Sequence, residues 1–281
     1  MNTVSLLAPR GSALDQALYD TASSARLYEF LLGGTECYEA DREAAFAVYA
    51  TAEWVKTAAL INRDFSLRSV EFSLGLGVRQ FVDLGCGLPG FVNVHEIADK
   101  LQPRQPVVYV DRDPLVYAHA RSHLDARPGV SVIHADILAM DRLLTCDVMR
   151  AAVDLNEPVA VLLHDVLSWC TDDEAVKRAM AILRAWLPSG STLSISHLTD
   201  HWHPATMPAV VATYAQHGME VRPRSREEIA ELFGDFVQSK GLVATGKWHG
   251  TGRWVRHREE HSAAFAGIAV KPAPRPSGVL A

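Results

Sequence analysis

The chain has 281 residues, 48% hydrophobic and 21% charged, a balance that can bury a sizeable core and argues against disorder except at the ends. Its formal net charge of −6 provides no broad basic field, which argues against nucleic acid or a membrane surface as partner and favours a small molecule. Cys37, Cys86, Cys146 and Cys170 are scattered without a CxxC pair or zinc-site spacing, and the sequence shows neither a leader-like start nor a long apolar run, so a reduced, cytoplasmic protein is expected.

Residues 1–24 are polar and small and are expected to form a flexible terminus. Over 25–78, Leu27, Phe30, Leu31, Phe46, Val48, Trp54 and Val55 recur at spacings of three and four, predicting two or three short helices, with a longer amphipathic helix over 58–74. Between them, Leu31-Leu32-Gly33-Gly34 reads either as a lid hinged on its glycines or as an ordinary glycine C-cap, and the lid is preferred.

From 79 to 271, short β-rich runs alternate with helical patterns, the signature of parallel βαβ units. Strands are predicted over 80–84, 106–111, 130–134, 159–164 and 192–197, with helices near 92–100, 114–124, 137–149 and 172–186. Helices over 204–217 and 225–232, the second capped by Ser225, precede a closing pair of strands over 241–248 and 263–270. The proline-rich stretch 272–281 is expected to be a flexible tail. The fold class is therefore α/β, a Rossmann-like doubly wound, mostly parallel sheet behind an N-terminal helical lid.

An open parallel sheet binds its ligand beyond the carboxyl ends of its strands, and the sequence concentrates chemistry there. The first predicted strand ends in Asp83-Leu84-Gly85-Cys86-Gly87, where glycines allow close backbone approach and Asp83 can draw in a cationic amino group. The next ends in Asp111-Arg112-Asp113-Pro114, with Asp111 placed to accept from ribose hydroxyls or, alternatively, to act as a helix N-terminal acid; Asp113, one residue before the proline, is read as a cap. The third ends in Asp136-Ile137, where Asp136 either accepts from an adenine amino group or caps the following helix. A carboxylate at position 83 would repel a pyrophosphate, which favours S-adenosylmethionine over a dinucleotide.

The runs VDLGCG, VDRDP and HAD, in this order, resemble the nucleoside-binding motifs of class I S-adenosylmethionine-dependent methyltransferases. More narrowly, ARLYEFLLGG with ADRE, GCGLP with NVHE, YVDRDP and PVAVLL resemble an actinobacterial S-adenosyl methyltransferase family formerly carried as a domain of unknown function, over about residues 24–271. The resemblance implies S-adenosylmethionine as cofactor, with Asp111 at the ribose and Asp136 at the adenine. The chain departs from the family pattern at His164-Asp165, where a small or apolar residue is usual, and at Cys86, where threonine is usual.

Methyl transfer mainly requires alignment of acceptor and methyl group, with a base to remove a proton. His164 is the expected base, oriented by Asp165, and it also joins Asp83, Gly85, Cys86, Gly87, Asp111, Arg112, Asp136 and Ile137 as a cofactor contact. Tyr28, Trp169, His197, His201 and Trp202 are the expected acceptor contacts, and no metal is expected. The expected acceptor is a small specialised metabolite methylated on oxygen or nitrogen, and a homodimer is left open. A non-methylating rearrangement and a non-enzymatic cofactor-binding module stand as alternatives.

Overall fold

Each predicted β-rich run of the central region becomes a strand of one sheet. The computed structural model describes residues 3–7, 18–90, 92–124, 127–250 and 252–273. Its strands are β1 (Thr3–Ser5), β2 (Gln80–Leu84), β3 (Val107–Asp111), β4 (Val130–His134), β5 (Val159–His164), β6 (Thr192–Leu198), β7 (Val237–Gln238), β8 (Val243–Ala244) and β9 (Ala264–Val270). They run in the order β1-β4-β3-β2-β5-β6-β9-β7, with β8 paired to β9. The first six are parallel, and β9 joins β6 antiparallel. The chain order reverses between β2 and β5, which opens a crevice at their carboxyl ends.

The helices are α1 (Ser24–Leu31), α2 (Glu39–Thr51), α3 (Val55–Gly75), α4 (Val94–Ala98), α5 (Pro114–Leu124), α6 (Met140–Thr145), α7 (Asp147–Ala152), α8 (Asp173–Trp186), α9 (Met207–Gln216) and α10 (Arg226–Glu231). Ser225 caps α10 through a reciprocal capping box with Glu228. The single helix expected over 137–149 is instead a 3-10 turn at Ile137–Ala139 followed by α6 and α7, broken at Cys146, which takes an extended conformation. The strand expected over 241–248 keeps only β8 before turning into a 3-10 segment, Thr245–Gly250, whose Trp248 packs edge-on against Phe65 and Phe72 of α3.

No element was expected before residue 25, yet β1 adds to the sheet beside β4, tied by a 2.8 Å hydrogen bond between Ser5 Oγ and His134 Nδ1. Three residues carry no periodic signal, so only pairing reveals this strand. Of the expected termini, residues 1–2, 8–17 and 274–281 lie outside the described residues.

Strand alternation sorts side chains onto two faces. Val82, Leu84, Val161, Leu163, Leu193 and Ile195 pack on one side with α6, α8 and α10. Phe81, Val107, Tyr109, Ala160 and Leu162 pack on the other with α3, α4 and α5. A third cluster joins Leu27 and Leu31 of α1 to α2 and α9, so Leu31 is buried rather than exposed. The end of α1 is a glycine C-cap: Gly33, at φ +93°, donates to Phe30 C=O and Gly34 to Glu29 C=O, both at 3.0 Å.

Candidate active site

The crevice holds a cavity of about 740 Å³, walled by the loops after β2, β3, β4 and β5 and closed by Ser23, Arg26 and Tyr28 from the N-terminal segment. Twelve of the expected site residues line it, among them Asp83, the Gly85-Cys86-Gly87 turn, Arg112, Ile137, Tyr28 and Trp169.

The two turn glycines serve different physical needs. Gly85 (φ +73°) lies so close to the loop after β5 that an added Cβ would meet Val166 Cγ2 at 2.1 Å. Gly87 (φ +65°) has open space where its Cβ would stand, and its N–H donates to Asp111 Oδ2 at 2.9 Å. Asp111 Oδ1 accepts from Asp113 N–H at 2.9 Å, so the acid at the end of β3 already braces the glycine turn. Asp113 does cap α5, accepting from Leu115 N–H at 2.8 Å. Asp136 realises its capping alternative through Leu138 N–H at 2.8 Å, while its Oδ2 lies 4.0 Å from Arg112.

Burial raises the Asp83 carboxyl to about 7, against the opposing pull of Arg63, and raises Asp111 to about 6. Arg63 on α3 lines the cavity and donates to Val92 C=O; the sequence reading passed over it. The same helix brings Asn62 and Ser66 into the wall. The signal was present in Asn62, Ser66, Ser69 and Ser73, spaced four, three and four apart inside an apolar helix and all buried. This polar stripe meets the sheet: Ser73 bonds Thr192 at 2.9 Å, and Ser196 donates to Asn62.

His164 faces that stripe, not Asp165. It shares strand parity with Ala160 and Leu162, which points it at α3, where Nδ1 meets Ser66 Oγ at 3.0 Å and Nε2 meets Ser194 Oγ at 2.8 Å. Burial drives its pKa down to about 3, with Arg63 adding to the fall. A ring so weakly basic, with both nitrogens engaged by hydroxyls, is a poor general base, and the expected His164–Asp165 pair does not form. Asp165 instead adopts a left-handed conformation (φ +59°), accepts from Ser168 Oγ at 2.7 Å, and is raised to about 6 by burial.

Three expected acceptor contacts lie outside the cavity wall. His197 has the opposite parity from His164, packs with Leu193 and Ile195, and has Nε2 2.7 Å from Arg224 and Nδ1 2.8 Å from Leu198 O. His201 and Trp202 pack on Phe265 of β9. Tyr28 and Trp169 do line the cavity, the latter set edge-on by Tyr214.

The N-terminal cover is pinned by buried charge. Arg26 donates to Asp41 at 2.7 Å and to the carbonyls of Leu18 and Thr21, and both Arg26 and Ser23 reach Asp113. Asp41 also accepts from the Ser23 and Tyr38 amides, each at 2.8 Å. Thus α1 is held against the loop whose neighbour, Asp111, braces the glycine turn.

The model of the S-adenosyl methyltransferase family matches residues 12–272. The chain belongs to this family. It is similar to a DUF574 family protein of Streptomyces avermitilis (32% identity over 90% of this chain and 99% of that one, TM-score 0.84). It is also similar to a candidate methyltransferase of Thermobifida fusca (32% identity over 94% and 100%, TM-score 0.85). No curated protein matches. The family's members are S-adenosylmethionine-dependent methyltransferases, and S-adenosyl-L-methionine is the cofactor.

The cavity's own chemistry fits that cofactor. Open space at Gly87 admits a ligand against the backbone, and Asp83, raised by burial and without a hydrogen-bond donor among the described residues, suits an ammonium or sulfonium charge. Among the described residues no group of three or more His, Cys, Asp or Glu is arranged to hold a metal ion, and no helix is long and apolar enough to cross a membrane.

Proposed function

We propose that this methyltransferase acts on oxygen or nitrogen of a small specialised metabolite held between α1 and the loop after β5. The observation that carries this is the cavity itself: about 740 Å³ is in the range of small-molecule sites, and Tyr28 and Arg26 of the N-terminal segment form part of its wall. The absence of a basic field in the net charge of −6 supports the same reading. Asp83, the Gly87 turn, Asp111 and Asp136 are the groups placed to hold the cofactor, which when bound supplies an electrophilic methyl group.

The chain's part is to orient the acceptor, exclude water and receive a proton. Asp165 takes the last role: it lines the cavity, is oriented by the Ser168 hydroxyl and the Leu198 amide, and sits near the pKa a general base requires. Incubation with S-adenosylmethionine and a metabolite panel should yield S-adenosylhomocysteine in step with an acceptor heavier by one methyl group. Conversion of a substrate with no S-adenosylhomocysteine formed would contradict the proposal. His164→Gln should leave the pH dependence of kcat unmoved, whereas a displaced acid limb would return the base role to His164.

A further inference from the structure

The cavity wall carries an excess of negative charge that its own cations do not cancel. Among the described residues it presents seven carboxylates against three guanidinium groups. Arg26 is committed to Asp41 and Asp113, Arg112 faces Asp136 at 4.0 Å, and Arg63, bonded to the Val92 carbonyl, acts on Asp83. A sulfonium cofactor with one ammonium and one carboxylate brings a single net positive charge, so the wall stays anionic with cofactor in place.

Asp165 is where that excess meets the acceptor space. Its carboxylate takes hydrogen bonds from the Ser168 hydroxyl and the Leu198 amide, both neutral donors, and forms no ion pair among the described residues. Its backbone is fixed in the left-handed region, with N–H donating to Ser196 C=O at 2.9 Å, a conformation that Asp and Asn adopt more readily than other non-glycine residues. A carboxylate held in a fixed position on a cavity wall, with neutral donors but no cation, is where a ligand can supply the countercharge.

Two rings line the same space. The Tyr28 hydroxyl is occupied, donating to Ala59 C=O at 3.1 Å and accepting from Asn62 at 3.0 Å, so its ring is what remains to contact a ligand. Trp169 is held edge-on by Tyr214, with ring centroids 5.1 Å apart. An anion beside aromatic rings is the chemistry that selects a cation. At the rim, Glu220 and Asp172 continue the acidic lining, and both are exposed. A neutral alcohol or phenol would bring no positive charge to meet the Asp165 carboxylate.

We propose that the acceptor is a cationic amine, its ammonium bound by Asp165 and flanked by the Tyr28 and Trp169 rings. The assignment rests on the small-molecule methyltransferase reading above and narrows it to nitrogen. Before the nitrogen can present a lone pair it gives up one proton, and the Asp165 carboxylate becomes a carboxylic acid by receiving it.

The test is calorimetric titration of wild type and Asp165→Asn, both saturated with S-adenosylhomocysteine. Phenethylamine, tryptamine and cyclohexylamine are each compared with the alcohol of the same shape. Asparagine tolerates the left-handed conformation, so the variant is expected to fold, and its melting temperature checks this. At least one amine should bind about tenfold or more tightly than its alcohol, a difference of about 1.4 kcal/mol. Asp165→Asn should erase that preference and leave S-adenosylhomocysteine affinity within about twofold. Equal affinities for amine and alcohol, a preference that survives in Asp165→Asn, or no binding by any amine would each overturn the assignment. Methyl transfer to alcohols alone would overturn it and leave the methyltransferase reading standing, whereas failure of S-adenosylhomocysteine to bind would bring down both.

Discussion

Replacing Gly85 with alanine should cost much more stability than the same change at Gly87, although both lie in one turn. Their φ angles, +73° and +65°, are left-handed, so either alanine pays about 1–2 kcal/mol for backbone conformation. At position 85 the new Cβ would also stand 2.1 Å from Val166 Cγ2 and 2.6 Å from Val166 Cβ, and relieving that overlap adds about 1–3 kcal/mol. Position 87 has nothing within 4 Å. For a chain of this size each kcal/mol lowers the melting temperature by roughly 2–4 °C, so Gly85→Ala should lose about twice as many degrees as Gly87→Ala. The order should reverse for ligand affinity, because the Gly87 methyl enters the cavity that the turn lines. Differential scanning fluorimetry and titration with S-adenosylhomocysteine measure the two effects. Adding Val166→Ala to Gly85→Ala should restore part of the loss, since the two sites touch. Equal melting temperatures for the two glycine variants, or no rescue by Val166→Ala, would refute the packing argument.

Asp83 provides a pH test. Its folded pKa, about 7, lies above the ordinary carboxyl value, so its contribution favours the fold below about pH 4 and is lost as pH rises towards 7. The melting temperature of ligand-free Asp83→Asn should therefore improve relative to wild type between pH 5 and pH 8, and a constant difference would argue against a buried, titrating Asp83. S-adenosylhomocysteine binding to wild type should weaken as pH falls from 7 to 5, because Asp83 must be ionised to pair with the ammonium and Asp111 (about 6) to accept from both ribose hydroxyls; pH-independent affinity would count against Asp83 as a ligand. Arg26→Ala should lose about 3–5 kcal/mol in urea unfolding, since it strands the fully buried Asp41, and adding Asp41→Asn should recover part of that; a loss below about 1 kcal/mol would show that the pair does not hold the cover in place.

Much of this protein was legible along the chain because local chemistry is written in neighbouring residues. Strands β2, β4 and β5 and helix α5 fall on their expected bounds, since alternation, β-branched composition and a proline at the first helical position are all short-range signals. The turn at Gly85 to Gly87 and the acids at 83, 111 and 136 follow from the rule that parallel strands present their ligands at their carboxyl ends. Alternation also held the clue that His164 and His197 belong to opposite faces, but it does not say what each face meets. That depended on α3, about a hundred residues before His164, which brings its serines to one ring while Arg224 takes the other. Arg63 and the Arg26–Asp41–Asp113 tie were likewise set by elements distant in sequence. The sequence alone determined the central strands, the glycine turn and the caps at Asp113 and Ser225, because those depend on near neighbours, whereas β1 and β7 depended on pairing partners far along the chain. Only the tertiary structure decided which polar side chains are saturated and which still face the cavity, because a hydrogen bond between segments a hundred residues apart leaves no local trace.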